Sequence, residues 1–273
     1  MAHTLQERYS NLVLAKLRQE NVIANLTNRR YEGSPKAGAV KIPVRDTEVT
    51  VGDYSKTSGK ALTIGTTTYQ TLTIDTDKAV NEIIDGYDAA AVPDNLVADR
   101  LDSAGYNLAL TIDTSLATLL TTSGNYTAEA STAASTTSTI YKNIVGSVKL
   151  AKKAKVPKNN MWILVTPDTM ELLETADLLT HSTVQGDSVV TNGFAGKLNG
   201  VPVYESLSDV FDTEKVEYIV GNNEFVHFVN EFTEPVKINN LTNEYIGASA
   251  VQGRMAYGMK VTRPTTVIIK KHA

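Results

Sequence analysis

Val97, Leu101, Ala104, Leu108, Ile112, Leu116 and Leu119 step by three or four residues, the period at which side chains return to one face of an α-helix. Val92-Pro93-Asp94 opens the stripe. Proline in a first turn gives up only an amide hydrogen that has no partner there, and a carboxylate near the start meets the positive helix end. The spacing predicts a helix of about 28 residues, roughly 40 Å at 1.5 Å per residue, against a globular mean of ~11–12 residues. A rod of that length has to run through its domain, with the rest of the chain packed along it. It reads as a structural spine.

On the N-terminal side, residues 1–36 form a polar arm in which Leu5, Tyr9, Leu12, Val13 and Leu17 have the spacing of a short amphipathic helix. Tyr31-Glu32-Gly33-Ser34-Pro35-Lys36 follows as a loop with nothing to pack. An arm of this kind stays ordered only where something holds it, and a neighbouring subunit is the simplest holder. Residues 38–75 read as β-structure. Val40, Ile42 and Val44 alternate with other residues, as do Val49 and Val51, and the return strand repeats the pattern at Leu62, Ile64, Leu72 and Ile74 before running on to about Ile84. Between the strands lies the polar tip Asp53 to Lys60. The result is a long hairpin too poor in apolar residues to be stable alone, which suits a hairpin lying across another molecule.

After the spine, residues 121–138 are Thr, Ser, Ala and Gly in low complexity, a loop. Ile140, Ile144, Val148, Ala151 and Ala154 give a second helix, ended by Pro157. Met161–Val165 reads as a short buried strand. Thr166-Pro167-Asp168 reads as an N-cap and first turn for a helix with Met170, Leu172, Leu173 and Leu178 on its apolar face. Gly193 to Val203 reads as strand, Asn199-Gly200 turn, strand. Further strands are expected at Val216–Val220, Phe225–Phe232, Pro235–Ile238, Ala250–Val261 and Thr265–Lys270. Helices mix with antiparallel strands without a βαβ alternation, so the fold class is α+β. A chain of 273 residues suggests one or two domains, with enough length for a real core.

Chemistry is mostly excluded. With no cysteine there is no disulfide framework, no Cys-ligated metal and no cysteine nucleophile. His3, His181, His227 and His272 stand in no metal-ligand spacing and read as structural or solvated. Gly59-Lys60 and Gly196-Lys197 are followed by Ala61 and Leu198, so neither completes a phosphate loop. No nucleotide fingerprint and no nucleophile elbow occurs. The residues therefore nominate no catalytic, cofactor-binding or metal site and no cofactor. No apolar run has the length of a membrane span or the character of a signal peptide, so no membrane partner is expected.

Charge is segregated although the net formal charge is only −4. Residues 75–113 hold nine acids (Asp75, Asp77, Glu82, Asp85, Asp88, Asp94, Asp99, Asp102, Asp113) against Lys78 and Arg100. They read as a solvated acidic face. Residues 142–158 hold six Lys and no acid, residues 254–273 hold five bases and no acid, and the arm holds six bases against three acids. Basic segments of this kind could meet phosphate backbones, though they lack the interleaved aromatics of a single-strand platform. They could equally meet acidic surfaces on copies of the same chain, and that second reading is the favoured one.

The order of elements is similar to one family. Arm, long hairpin, spine helix, second helix with buried strand, Gly-rich β segment and C-terminal strands come in the order found in the major capsid proteins of tailed bacteriophages, the HK-97 fold. Leu72-Thr73-Ile74-Asp75 before Asp85-Gly86-Tyr87-Asp88 resembles that family. So do Leu108-Ala109-Leu110-Thr111-Ile112-Asp113, Trp162-Ile163-Leu164-Val165-Thr166-Pro167, Gly196 to Val203, Tyr257-Gly258 and Arg263-Pro264. The resemblance implies a non-enzymatic subunit that self-assembles, as hexamers and pentamers, into an icosahedral phage head enclosing double-stranded DNA. It implies an N-terminal arm at 1–37 and an extended loop at 38–75. A peripheral domain with the spine helix would take 76–177 and 236–273, and an axial domain 178–235. Inter-subunit contacts are expected at Arg29, Arg30, Tyr54, Lys56 and Lys60. Implied partners are other copies, a separate scaffolding protein (the arm being short), a portal, and DNA contacted non-specifically. The implied location is the virion capsid, after synthesis in the bacterial host cytoplasm. An encapsulin-like cargo shell and a tail or surface-layer protein are the alternative readings.

Overall fold

The computed structural model describes residues 18–19, 21–31, 38–44, 49–62, 64–65, 67–91, 96–176, 194–242 and 245–272. The expected arm helix, the loop at 32–37, the Val92-Pro93-Asp94 helix start, Leu178, His3, His181 and Gly193 fall outside them.

The long helix is α2, Leu96–Thr121, 26 residues and therefore ~39 Å long. It spans two sheets. Near its start, Ala104 is buried and Leu96, Val97 and Leu101 partly so, against Val80, Ile84, Val236 and Val251. Those residues belong to β3 (Thr76–Ile84), β9 (Val226–Asn240) and β10 (Ser249–Val261), an antiparallel sheet ordered β3-β10-β9. Near its end, Leu116, Ala117 and Leu120 enter the core of a second sheet.

That sheet has six strands in the order β4-β11-β8-β5-β7-β6: β4 Thr127–Ala128, β5 Met161–Val165, β6 Phe194–Leu198, β7 Val201–Glu205, β8 Val216–Asn222 and β11 Ile268–Lys271. Side chains of a strand point alternately to its two faces. Ile163, Val203, Tyr218, Val220 and Ile268 meet α3 (Ile140–Lys153) and α4 (Pro167–Thr175) through Ile140, Ile144, Val148, Ala151, Met170 and Leu173. Trp162, Leu164, Ile219 and Ile269 meet the end of α2, Phe211 of α5 (Asp209–Thr213), and Val22, Ile23 and Leu26 of the arm. Both faces are covered, so Met161–Val165 is an unbroken buried run instead of an alternating one.

Several expectations are corrected. The hairpin ladder is short: β1, Ala39–Val44, pairs with β2, Thr68–Thr73, and Val49, Val51, Leu62 and Ile64 lie in no strand. β2 does not run on to Ile84. The chain leaves one sheet at Ile74–Asp75 and enters another as β3, and Gly258 of β10 leaves room for it there, since an added Cβ would lie 2.3 Å from the Thr73 carbonyl oxygen. Phe225–Phe232 and Pro235–Ile238 belong to one strand, β9. The helix α1, Gly86–Ala91, and the strand β4 were not anticipated. Thr166 makes no side-chain cap. Its hydroxyl donates to the Glu217 carbonyl at 3.2 Å and shares a 3.2 Å bond with Thr169. The expected boundary at 177/178 falls inside the six-stranded sheet, since β5 pairs with both β7 and β8.

The polar loop after α2 is fastened from below. Lys270, fully buried on β11, donates to the Ser131 carbonyl and lies 3.9 Å from Glu129. The Tyr218 hydroxyl donates to Glu129 at 2.8 Å and is 3.0 Å from Ser147 Oγ. Burial holds that hydroxyl protonated, far above its ordinary range. The Asn199-Gly200 turn joins β6 to β7 with φ of 51° and 73°, the left-handed pair that a two-residue hairpin needs.

Gly221 faces Trp162 across the β5–β8 pair, and an added Cβ would stand 2.4 Å from its ring. Gly221→Ala is expected to lower unfolding stability by about 1–3 kcal/mol, read as a reduced urea midpoint.

Candidate functional site

Two surfaces carry the predicted contact residues, the arm and the hairpin tip. The described part of the arm, residues 18–19 and 21–31, is held by its own chain. Ile23 and Ala24, at the start of the 3-10 turn Ile23–Leu26, donate their amides to the two carboxylate oxygens of Asp113 at 3.1 and 2.8 Å. These are the amides that a helical turn leaves without partners. Asp113 on α2 is only 4% exposed, so it belongs to no solvated acidic face. Burial pushes its carboxyl above the ordinary range, and the amide bonds pull it back. Arg18 pairs with Asp102 at 2.5 Å and lies over the Tyr106 ring. Tyr106 in turn accepts from the Gln19 amide at 2.9 Å. Asn28 then joins the edge of β9. Its amide donates to the Val226 carbonyl at 2.7 Å, and its carbonyl accepts from Phe228 at 3.1 Å.

Beneath this edge lies His227, 3% exposed. Its Nε2 is 3.1 Å from Thr262 Oγ1, its Nδ1 is buried without a partner, and the Tyr31 ring meets it edge-on. Burial pushes its pKa down to about 4. Arg29 donates to the Ala24 carbonyl at 2.8 Å and lies over Phe228, so its contacts are internal. Arg30 is exposed, and both arginines line a cleft of about 360 Å³ with Asn160, Asn223 and Glu224.

The hairpin divides into a packed base and a bare tip. Ile42 and Leu72 are buried against Val229, with Tyr31, Val40 and Ile74 around them. Beyond the base, Val49 (87%), Val51 (95%), Tyr54 (76%), Leu62 (99%) and Ile64 (94%) stand in solvent. The tip is closed locally by the Ser55–Gly59 bridge and by Lys60 donating to the Thr50 carbonyl. Lys56 is exposed on that turn. Among the described residues these five large apolar side chains are the most exposed stretch of the hairpin, the kind of patch that marks an interaction surface. The apolar residues, more than the lysines, mark it. Their period-two spacing was visible in sequence, though it suggested strands.

The segregated charge is partly neutralised within the chain. Arg18 pairs with Asp102, Arg254 with Asp77 at 2.5 Å, and Arg100 with Glu82 at 2.5 Å. Asp85 accepts from the Tyr87 amide at the start of α1. Among the described residues no three His, Asp or Glu side chains are grouped to hold a metal, and no helix is long and apolar enough to cross a membrane.

The chain matches no family model and no curated protein. Its fold matches solved structures over nearly its whole length. A structure titled Mycobacterium phage Che8 is 25% identical, with a TM-score of 0.76, over 97% of this chain and 96% of that one. The capsid structure of the cyanophage P-SCSP1u is 13% identical, with a TM-score of 0.74, over 98% and 93%. The asymmetric unit of the bacteriophage PhiM1 mature capsid is 14% identical, with a TM-score of 0.71, over 99% and 92%. The fold is that of these phage structures, two of which are titled as capsids.

Two outcomes are expected. Asp113→Ala leaves two amides without an acceptor, at about 1–3 kcal/mol for each buried group left unmade. Trypsin should then cut after Arg29 or Arg30 several-fold faster than in the parent chain. For His227, the folded pKa near 4 lies below the ordinary 6.5. Stability is thus complete above pH 6.5 and lost as pH falls toward 4, by on the order of 3 kcal/mol. His227→Gln should flatten the fall in urea midpoint between pH 7 and 4.5.

Proposed function

We propose that this chain is the shell-forming subunit of a phage-type head, an assembly protein with no catalytic role. The observation that carries the reading is the match of almost the full chain to capsid structures at TM-scores above 0.7. The exposed hairpin tip supports it independently, since a solvent-facing apolar loop needs a second molecule to cover it. In this reading α2 is the spine helix. The three-stranded sheet forms the peripheral part, and the six-stranded sheet with α3, α4 and α5 forms the axial part. The extended loop is anchored at its base on its own β9, and its tip lies on a neighbouring copy with Tyr54, Lys56 and Lys60 at the contact. Arg30 extends the contact from the arm, while Arg29 serves mainly to hold the arm down.

Assembly then works by repetition. A head-to-tail contact closes into a ring when its rotation allows. Once several contacts act on one subunit, each further one forms at high effective concentration, so individually weak interfaces suffice. Hexamers and pentamers, a separate scaffolding protein, a portal, packaged DNA met without sequence preference and production in a host cytoplasm complete the proposal.

Deleting residues 53–61 tests it. The tip has no part in the core, so the variant should keep the parent's circular dichroism and urea midpoint, while negative-stain images of purified particles lose closed isometric shells. A variant that misfolds, or one that assembles as well as the parent, would sink this role for the loop. Tubes or flat lattices from the parent chain would favour the tail or surface-layer reading, and closed shells holding an enzyme and no DNA the cargo-shell reading.

A further inference from the structure

The basic block on α3 differs from the other two. The arm and the C-terminal block both send arginines into ion pairs with the acidic segment, Arg18 with Asp102 and Arg254 with Asp77. Lys142, Lys149, Lys152, Lys153, Lys155 and Lys158 are all exposed, and among the described residues no ion pair involves them. Lys152 and Lys153 suit the negative end of their helix, but Lys142 and Lys149 have no such reason to be there. At 100° per residue, Lys142, Val145, Lys149, Lys152 and Lys153 share one face of α3, opposite the buried Ile140, Ile144 and Ala151.

That face borders a groove. Val145, Val148, Lys149, Lys152, Lys153 and Asn199 of the β6–β7 turn line about 370 Å³. The Lys158 ammonium lies near Gly200 of the same turn, 3.0 Å from where a Cβ would be. The floor is the partly exposed Val145 beside the buried Val148, the rim is cationic, and among the described residues no carboxylate lines it. A duplex phosphate backbone would use the rim and leave the partly exposed Val145 uncovered. A peptide segment carrying acidic side chains beside apolar ones would use both.

We propose that the groove between α3 and the β6–β7 turn is a docking site for an acidic amphipathic segment of a separate polypeptide. The site goes beyond the shell reading, because its described lining comes from one chain and the proposal does not depend on assembly.

The test uses the full chain and a fluorescein-labelled synthetic helical peptide with Glu and Leu at i,i+4 spacing, followed by anisotropy. The peptide should bind unassembled subunits, weaken with added salt, and bind assembled particles as well. Reversing three rim charges in Lys149→Glu/Lys152→Glu/Lys153→Glu should weaken it about tenfold or more. Val145→Ser, which keeps every charge, should also weaken it, while the urea midpoints of both variants stay near the parent's. Absence of peptide binding would overturn the proposal. So would a duplex DNA oligonucleotide binding more tightly than the peptide, which would mark a phosphate surface. Binding confined to unassembled subunits would mean that another copy of this chain fills the groove.

Discussion

The molecule depends on the shared packing of one helix. The first half of α2 covers the three-stranded sheet, and its last turns close one face of the six-stranded sheet. A single α-helix is stiff over this length, and Val226 of β9 and Val261 of β10 join its last turns in the core of the six-stranded sheet, so helix and both sheets meet at one junction. The same helix also anchors the arm. Asp113 stands between the two covered regions and supplies the acceptors that the arm's first turn needs. Packing and polar satisfaction meet on one element.

Charge follows the same economy. An acidic strand–helix block and basic segments at both ends of the chain look like surfaces made for copies of one another. Folding uses part of that complementarity internally, through Arg18, Arg100 and Arg254. The lysines of α3 are left out because their helix covers the opposite face of the six-stranded sheet from α2 and the arm. An apolar hairpin tip and a cationic groove remain exposed after folding.

Burial of His227 and Asp113 makes the root of the arm the polar weak point of an otherwise apolar junction. The histidine sits under Tyr31 with one ring nitrogen unsatisfied, close to Val229, on which the hairpin base packs. Arm and hairpin are thus seated on the same short stretch of β9, and a disturbance there reaches both.

Much of this was legible in the residues. The spacing from Val97 to Leu119 determined the long helix, Ile140 to Ala151 the second helix, and Asn199-Gly200 the hairpin turn, because helical periodicity and left-handed turns are local properties. The apolar run at Met161–Val165 fixed a strand buried on both sides, though not its neighbours. Only the tertiary structure decided that Asp113 is buried, that the described root of the arm packs on its own chain, and that the strand ending at Thr73 gives way to a different sheet at Thr76. Each of those depends on distant partners, such as the Asp113 bonds to Ile23 and the approach of Gly258 to Thr73. Local pattern carries no information about which distant backbone will supply an acceptor or leave room for a crossing.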